Sequence, residues 1–225
     1  MTDTYKLSRR GLLGALAATS TATLAGCGDD AVPSGPNPDI VPLNALLTAE
    51  YKAVKAYADV LPTLQTPPAG DPLAANGPAL SVIATAWQGH HQAHATQLAA
   101  AITAIGGTPV TEASAMFARP EGFTPHVANV LKLACNTEKA AAIAYNRAVK
   151  ALSSTGNRFL AGTIEGDETQ HFIVLYTLLK GVVAAVPAGL ITNISEVVPK
   201  AFVARTSASD MNSLQSVADF TFSAT

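Results

Sequence analysis

Residues 160–179 read LAGTIEGDETQHFIVLYTLL, and this stretch carries the pattern on which the fold prediction depends. Its apolar side chains recur at spacings of three and four, which predicts an amphipathic helix with one buried stripe. Glu168 and His171 fall on that stripe, one helical turn apart, instead of on the polar face. A carboxylate in an apolar interior needs a partner, so neighbouring elements must supply one.

Three other segments show the same periodicity, again with polar residues on the buried stripe. These predicted helices are 43–64 with Glu50, 78–105 with His91 and His94, and 124–152 with Glu138. The fourth helix is predicted from about residue 157 to Pro187. The Pro-rich link after the first helix and the tight turn at 153–156 are typical of antiparallel neighbours, whereas the long stretch 106–123 allows a crossover. The sequence therefore predicts an all-α fold, a four-helix bundle of two antiparallel hairpins joined by a long crossover.

The composition supports this fold class and argues against a nucleic-acid-binding function. The chain has 225 residues, 48% of them hydrophobic and only 6% aromatic, which is enough for one core and favours helices over sheets. The formal net charge is −2, and the Lys and Arg residues are scattered, so no nucleic-acid partner is expected. Cys135 lies on an apolar helical stripe, which predicts a small buried side chain without a ligand or redox role.

The polar residues on the four buried stripes are expected to lie at one depth in the bundle. Glu138 precedes the 153–156 turn by about as many residues as Glu168 and His171 follow it, and the first hairpin gives the same agreement. Carboxylates that share an apolar interior repel each other unless cations neutralise them. No Lys or Arg lies on the same stripe close to these carboxylates, which leaves imidazolium or metal ions. A metal-free network of Glu–His hydrogen bonds is the alternative.

This arrangement resembles the ferritin-like family of carboxylate-bridged di-metal bundles, which has one Glu on each of two helices and Glu-x-x-His on each of the other two. Glu50 and Glu138 match the single Glu residues, and residues 168–171, Glu-Thr-Gln-His, match a complete Glu-x-x-His motif. On the second helix His91-x-x-His94 stands in the place of the family's Glu-x-x-His. The resemblance implies a metal site with the ligands Glu50, His91, His94, Glu138, Glu168 and His171.

Iron is the metal expected at this site, with Mn, Cu and Zn as alternatives because the donors mix imidazole with carboxylate. With three carboxylates instead of four, two divalent ions need a bridging hydroxide or oxide. A single ion held by His91, His94, His171 and one Glu is the other arrangement. His90 is the alternative ligand to His91, about 100° around the helix, and Glu165 is an outer partner at best. Four tyrosines could either donate hydrogen bonds at the site or fill the core: Tyr51, Tyr57, Tyr145 and Tyr176.

The resemblance covers about residues 43–185 and implies a metal-dependent redox site of the oxidase, peroxidase or ferroxidase type. O2 or peroxide is then the expected small oxidant, a homodimer is a possible assembly, and no catalytic residue beyond the ligands is assigned. The alternative function is a non-enzymatic envelope bundle that binds a partner, with a structural polar core or a single structural metal.

The N-terminus is predicted to direct export. Ser8-Arg9-Arg10-Gly11-Leu12-Leu13 resembles the twin-arginine signal, and Leu24-Ala25-Gly26-Cys27 resembles a lipobox, in which Cys27 is lipidated and becomes the first residue. The expected location is the periplasm or the cell surface, with a lipid anchor in the membrane. The predicted divisions are a signal peptide at 1–27, a flexible linker at 28–41, the bundle at 42–187 and a C-terminal tail of unknown structure at 188–225.

Overall fold

The computed structural model of the chain describes residues 35–180 and 217–223. Within these residues the fold is all-α, as predicted, and consists of a four-helix bundle. The helices are α1 (Ile40–Gln65), α2 (Gly77–Ala104), α3 (Val127–Ala151) and α4 (Thr155–Leu179). The predicted signal peptide, its lipobox, half of the linker, the predicted last part of the fourth helix at 181–187 and most of the tail lie outside the described residues.

The helices pair as the connection lengths predict. The α1 helix packs along α2, and α3 packs along α4, which makes two antiparallel hairpins. The connection from Ile105 to His126, which contains a 3₁₀ turn at Glu112–Ser114, crosses between the hairpins and brings α1 against α3. Among the described residues, none of the helices combines the length and apolar character needed to cross a membrane.

The end of α2 follows the sequence prediction, whereas the start of α3 does not. Gly106 has φ +77°, a conformation that glycine adopts without steric cost, and it terminates α2. The third helix was predicted to begin at residue 124, but α3 begins at Val127, whose N–H donates to Asp71 Oδ2 at 2.8 Å. The Thr124 hydroxyl instead donates to the carbonyl of Ser223. The cap therefore comes from the α1–α2 connection, which local sequence does not reveal.

Asp39 links the beginning of α1 to the turn between α3 and α4. Its carboxylate accepts hydrogen bonds from the Ser153 N–H at 2.7 Å, the Ser154 N–H at 3.0 Å and the Asn157 amide at 2.8 Å. Burial alone would raise the pKa of Asp39, but these hydrogen bonds prevail and lower it to about 2. Because of this anchor α1 begins at Ile40, slightly before the predicted start of the bundle at residue 42.

Residues 217–223, part of the tail for which no structure was predicted, lie along α3. The Asn136 side chain donates to the Phe220 carbonyl at 2.9 Å and accepts from the Phe220 N–H at 2.8 Å. Asn129, seven residues earlier on α3, makes the same pair of bonds with Ser223, at 2.8 and 3.0 Å. Two asparagines on one helical face thus satisfy the backbone of an extended segment, a role that neighbouring strands fill in a sheet.

Apolar clusters occupy the bundle above and below a polar layer. One cluster, around Leu47, Leu98 and Leu152, lies toward the Asp39 anchor, and two others, around Val130 and Phe172, lie at the opposite end. Cys135 belongs to the last of these and is 1% exposed, as predicted, and burial raises the pKa of its thiol to about 12. The polar layer between the clusters holds the residues on which the function prediction depends.

Candidate metal centre

The structure brings the six predicted site residues together in this polar layer. Each of them is at most 4% exposed. Their ligand atoms form two groups, in each of which all atoms lie within 4.8 Å of one another. The first group is Glu50, His91, His94 and Glu168, and the second is His91, Glu138, Glu168 and His171. His91 and Glu168 belong to both groups, so the two groups are adjacent halves of one site.

His91 occupies the middle of the site. Its Nδ1 lies 2.8 Å from Glu50 Oε2, and its Nε2 lies 3.2 Å from Glu138 Oε1. The ring therefore faces a carboxylate on each side. Burial by itself would lower the pKa of His91, but Glu138 and Glu50 raise it well above its ordinary value.

Glu168 and His94 carry the buried polar atoms of the site that lack a hydrogen-bond partner. Both oxygens of Glu168 and the Nδ1 of His94 are buried without a hydrogen-bond partner. A carboxylate in that position is relieved by a proton of its own, by a protonated imidazole such as that of His94, or by a metal ion. With a proton, Glu168 can donate to Glu138, and burial together with the Glu138 charge raises the pKa of Glu168 to about 11. With a metal ion, the same atoms become ligands, so the residues present fit a metal.

His90 lies outside the ligand groups, while His91 lies within both. The His90 ring is exposed, and its Nδ1 lies 3.0 Å from His171 Nε2. The other nitrogen of His171, Nδ1, lies 3.3 Å from Glu138 Oε2. Trp87 stacks on His171 with 4.5 Å between the ring centroids. His90 and Trp87 therefore contact the outer side of His171 and fix the orientation of its ring.

Asp167 is a site residue that the sequence analysis missed. Its Oδ2 lies 3.3 Å from His94 Nε2, on the side of that ring away from Glu168. Carboxylates that hold the outer nitrogen of a ligating imidazole orient the ring and increase its basicity. The only signal in the sequence is that Asp167 directly precedes the Glu168-x-x-His171 motif, and such an exposed residue is ordinarily assigned to the solvated face.

Two of the four tyrosines considered above donate hydrogen bonds to the site. The hydroxyl of Tyr57 donates to Glu138 Oε1, and that of Tyr145 donates to Glu50 Oε1. Burial, and next the adjacent carboxylate, raise the pKa of both phenols well above the ordinary value. Both tyrosines are therefore neutral hydrogen-bond donors that fix one oxygen of each carboxylate. Tyr51 and Tyr176 pack within the apolar clusters instead.

The remaining charged candidates lie away from the centre. Glu165 accepts a hydrogen bond from the Asn146 amide at 2.9 Å, and Glu165 belongs to neither ligand group. Lys139, next to Glu138 in sequence, turns outward and donates to the Val217 carbonyl at 2.7 Å. In the part of the chain that the structure describes, the ion pairs of the three buried glutamates involve histidines alone.

An apolar cavity of about 20 Å³ adjoins the site. Tyr57 and Trp87 form part of its wall, together with Leu80, Ala134 and Leu175. Tyr57 donates to Glu138, and Trp87 stacks on His171, so these two side chains separate the cavity from the ligand groups. The cavity has room for one small molecule, and its lining favours an apolar one.

The comparison with known families decides the identity of this bundle. The family described as the ferritin-like domain matches residues 38–181, which include α1 to α4 and the six clustered residues. The chain belongs to the ferritin-like domain family. The ferritin-like fold also appears in a solved relative, described as a ferritin-like, diiron-carboxylate protein from Bacillus anthracis str. Ames. That structure aligns with a TM-score of 0.51 and 24% identity, over 63% of this chain and 94% of the other. No curated protein matches this ferritin-like chain significantly.

Proposed function

We propose that this ferritin-like protein is a redox-active metal protein of the bacterial cell envelope, which uses iron to reduce a small oxidant. The observation that carries the proposal is the pair of adjacent ligand groups that share His91 and Glu168, together with the two buried oxygens of Glu168, which make no hydrogen bond. A site built only to stabilise the fold would gain by closing those hydrogen bonds or by replacing the charges with apolar residues.

The residues of the chain divide into those that would hold the metal and those that would position them. The proposed ligands are Glu50, His91, His94, Glu138, Glu168 and His171. When bound, the iron supplies the electrons that the oxidant takes up. The hydroxyls of Tyr57 and Tyr145 each donate to the Oε1 of a carboxylate, and the Oε2 atoms of Glu138 and Glu50 face the ring nitrogens of His171 and His91. Asp167 and His90 hold the outer nitrogens of His94 and His171, so the inner nitrogens face the site.

The apolar cavity supports O2, rather than peroxide, as the oxidant. Hydrogen peroxide would have to leave water without finding hydrogen-bond partners there, at a cost of several kcal/mol. O2 has no such cost and suits a small cavity with an apolar lining. Tyr57 and Trp87 line the cavity and contact Glu138 and His171, so we expect an oxidant held there to lie next to these two residues.

The proposed location rests on the two motifs near the N-terminus, which lie outside the described residues. A twin-arginine signal followed by a lipobox at Cys27 would export the folded protein and anchor it to a membrane. A lipid on every subunit conflicts with assembly into a closed, soluble storage shell. For this reason we favour a membrane-anchored protein that acts on an oxidant over one that stores iron in a cage.

One observation favours the alternative function, a partner-binding bundle with a structural polar core. A protonated His91 and a protonated Glu168 would together remove much of the charge repulsion without any metal. The two functions predict different metal contents and different activities for protein isolated from its native membrane. We expect elemental analysis to find iron bound to the protein and expect the reduced protein to consume O2. The matched control is Glu168→Gln, which should lower both the iron content and the O2 consumption. Metal-free, stable and inactive native protein would support the structural alternative.

A further inference from the structure

We propose that the His91 imidazole bridges two metal ions, one on each ring nitrogen, in place of the carboxylate bridge found in this family. The inference rests on the proposed function, because it concerns how the same site holds its metal. Its basis is the position of the ring: Nδ1 faces Glu50 at 2.8 Å, and Nε2 faces Glu138 at 3.2 Å. Glu50 belongs to one ligand group and Glu138 to the other, so each nitrogen faces a carboxylate of a different group, while Glu168, 3.5 Å from Nδ1, belongs to both.

The surroundings of His91 hold the ring in this orientation. The ring is 1% exposed, and it lies against the Tyr57 ring at 5.4 Å between centroids. The rings of His94 and His171 meet it edge-on from two directions, at 6.0 and 5.7 Å. Rotation about the Cβ–Cγ bond would take both nitrogens away from the carboxylates that they face. The ring is therefore placed to offer both nitrogens at once, whereas a terminal ligand needs only one.

The charge of the site favours the same arrangement. The site has three carboxylates, Glu50, Glu138 and Glu168, and two divalent ions carry one positive charge more than these three neutralise. A bridging imidazolate carries the missing negative charge, so the site becomes neutral without an added hydroxide. Each ring nitrogen must lose its proton before it can bind an ion, so the ring releases its N–H protons to solvent as the two ions bind.

A bridging imidazole sets a distance between the ions that differs from that of a carboxylate bridge. With metal–nitrogen bonds of about 2.0 Å on either side of the ring, the two ions lie roughly 6 Å apart. Di-metal sites bridged by oxygen ligands have ions about 3.5–4 Å apart. The separation therefore distinguishes the two modes of binding, independently of any catalytic activity.

The experiment uses the full-length protein, stripped of metal by chelation and then titrated with Cu²⁺. We expect two ions per chain, about 6 Å apart in an anomalous difference map, and an exchange-coupled electron paramagnetic resonance spectrum. The variant His91→Glu restores a carboxylate at this position, and it should keep two ions but shorten their separation to about 3.5–4 Å. Gln92→Ala, an exposed change on the same helix, is the control and should match the parent in stoichiometry and separation.

Each other result overturns the inference in a recognisable way. A single Cu²⁺ ion per chain, or two ions already about 4 Å apart in the parent, excludes the bridge but leaves a redox metal site possible. Failure to bind Cu²⁺, combined with absence of metal in native protein, removes the proposed function as well. A coupled spectrum that survives in His91→Gln shows that another group bridges the ions, and this variant keeps a buried polar side chain if His91→Glu fails to fold.

Discussion

Glu168 Oε1 lies 3.1 Å from His94 Nδ1, yet the two buried atoms make no hydrogen bond with each other or with any other group. At this distance both atoms can bind one metal ion, with bonds of about 2.0–2.2 Å each. Two residues on different hairpins, α2 and α4, converge in this way, so the docking of the hairpins creates the arrangement. The first two predictions follow from it.

Glu168→Gln should separate metal binding from stability. The amide resembles the protonated acid and can donate to Glu138, so the metal-free variant should be at least as stable as the parent. Its metal affinity should fall by at least about tenfold, since even outer partners of a ligand contribute that much. Elemental analysis and urea denaturation with chelator measure the two effects. Glu165→Gln is the matched control on α4, one turn away and bonded to Asn146. Equal metal content in the parent and Glu168→Gln would remove Glu168 from the site.

Metal removal should destabilise the native protein, because ions that bind only the folded state stabilise it by mass action. At a free metal concentration one hundred times the dissociation constant the effect is about 2.7 kcal/mol, which corresponds to a fall in Tm of roughly 5–10 °C on chelation. Calorimetry with and without chelator measures this shift. Protein shown to have lost its metal without any change in Tm would support a core that is stable through its own hydrogen bonds.

Asp39→Asn should weaken the connection between α1 and the α3–α4 turn. The folded-state pKa of Asp39 is lowered from 3.8 to about 2, so its charge contributes about 2 kcal/mol at neutral pH. Because this pKa is lowered, the contribution is fully present above pH 4, and it is lost as the pH falls through the folded-state value. The parent should therefore exceed Asp39→Asn in stability at pH 6, and the difference should shrink by pH 3. A difference that does not change with pH would mean that geometry, rather than charge, makes the anchor.

Asn136→Ala should release residues 217–223 from α3. The change removes both bonds to the Phe220 backbone and leaves an N–H and a carbonyl without partners, at a cost of about 1–3 kcal/mol. Limited proteolysis should cut this segment faster, and the Phe220 amide should exchange its hydrogen sooner. Asn146→Ala removes a similar side chain from the same helix, where it pairs with Glu165, and should leave the segment protected. Equal cleavage in all three proteins would show that the apolar contacts of Phe220 and Phe222 suffice.

Cys27→Ser tests the proposed membrane anchor. The hydroxyl cannot take the thioether-linked lipid, so the variant should remain unprocessed or leave the membrane fraction. Fractionation of cells and the electrophoretic mobility of the chain measure both outcomes. Cys135→Ser, a change of the buried thiol within the bundle, is the control for effects on folding. A Cys27→Ser protein that fractionates and migrates like the parent would exclude lipidation at this position.

The fold could be predicted from the sequence because its determinants are periodic and local. The spacing of apolar residues identified the four helices, and equal residue counts from each turn placed Glu138 level with Glu168. The same counts placed Glu50 level with His91 and His94, and the structure brings these residues together. Helical periodicity fixes which residues share a face, and it therefore recovers the ligand groups without any knowledge of side-chain conformation.

The features that the sequence did not reveal depend on contacts between distant segments. Asp71 caps α3 from another connection, and Asp167 reaches a histidine on another helix. Tyr57 and Tyr145 have ordinary core spacing, and nothing local shows that their hydroxyls meet carboxylates. Residues 217–223 have no helical period, because their partners are the side chains of α3. Each case is decided by tertiary packing, which single-sequence patterns do not contain.

The attachment of residues 217–223 to α3 also sets an order of events during synthesis. A chain that has grown to Lys180 contains all four helices, but 43 residues, from 181 to 223, separate it from the partner of Asn129. At about 5–20 residues per second, the ribosome needs roughly 2–9 s to make them. During that interval the Asn129 side chain lacks its hydrogen bonds to Ser223, and those to Thr124 are the bonds that it can still make. Until residue 223 has been made, the face of α3 around Asn129 and Asn136 therefore lacks the backbone partners that it has in the folded chain.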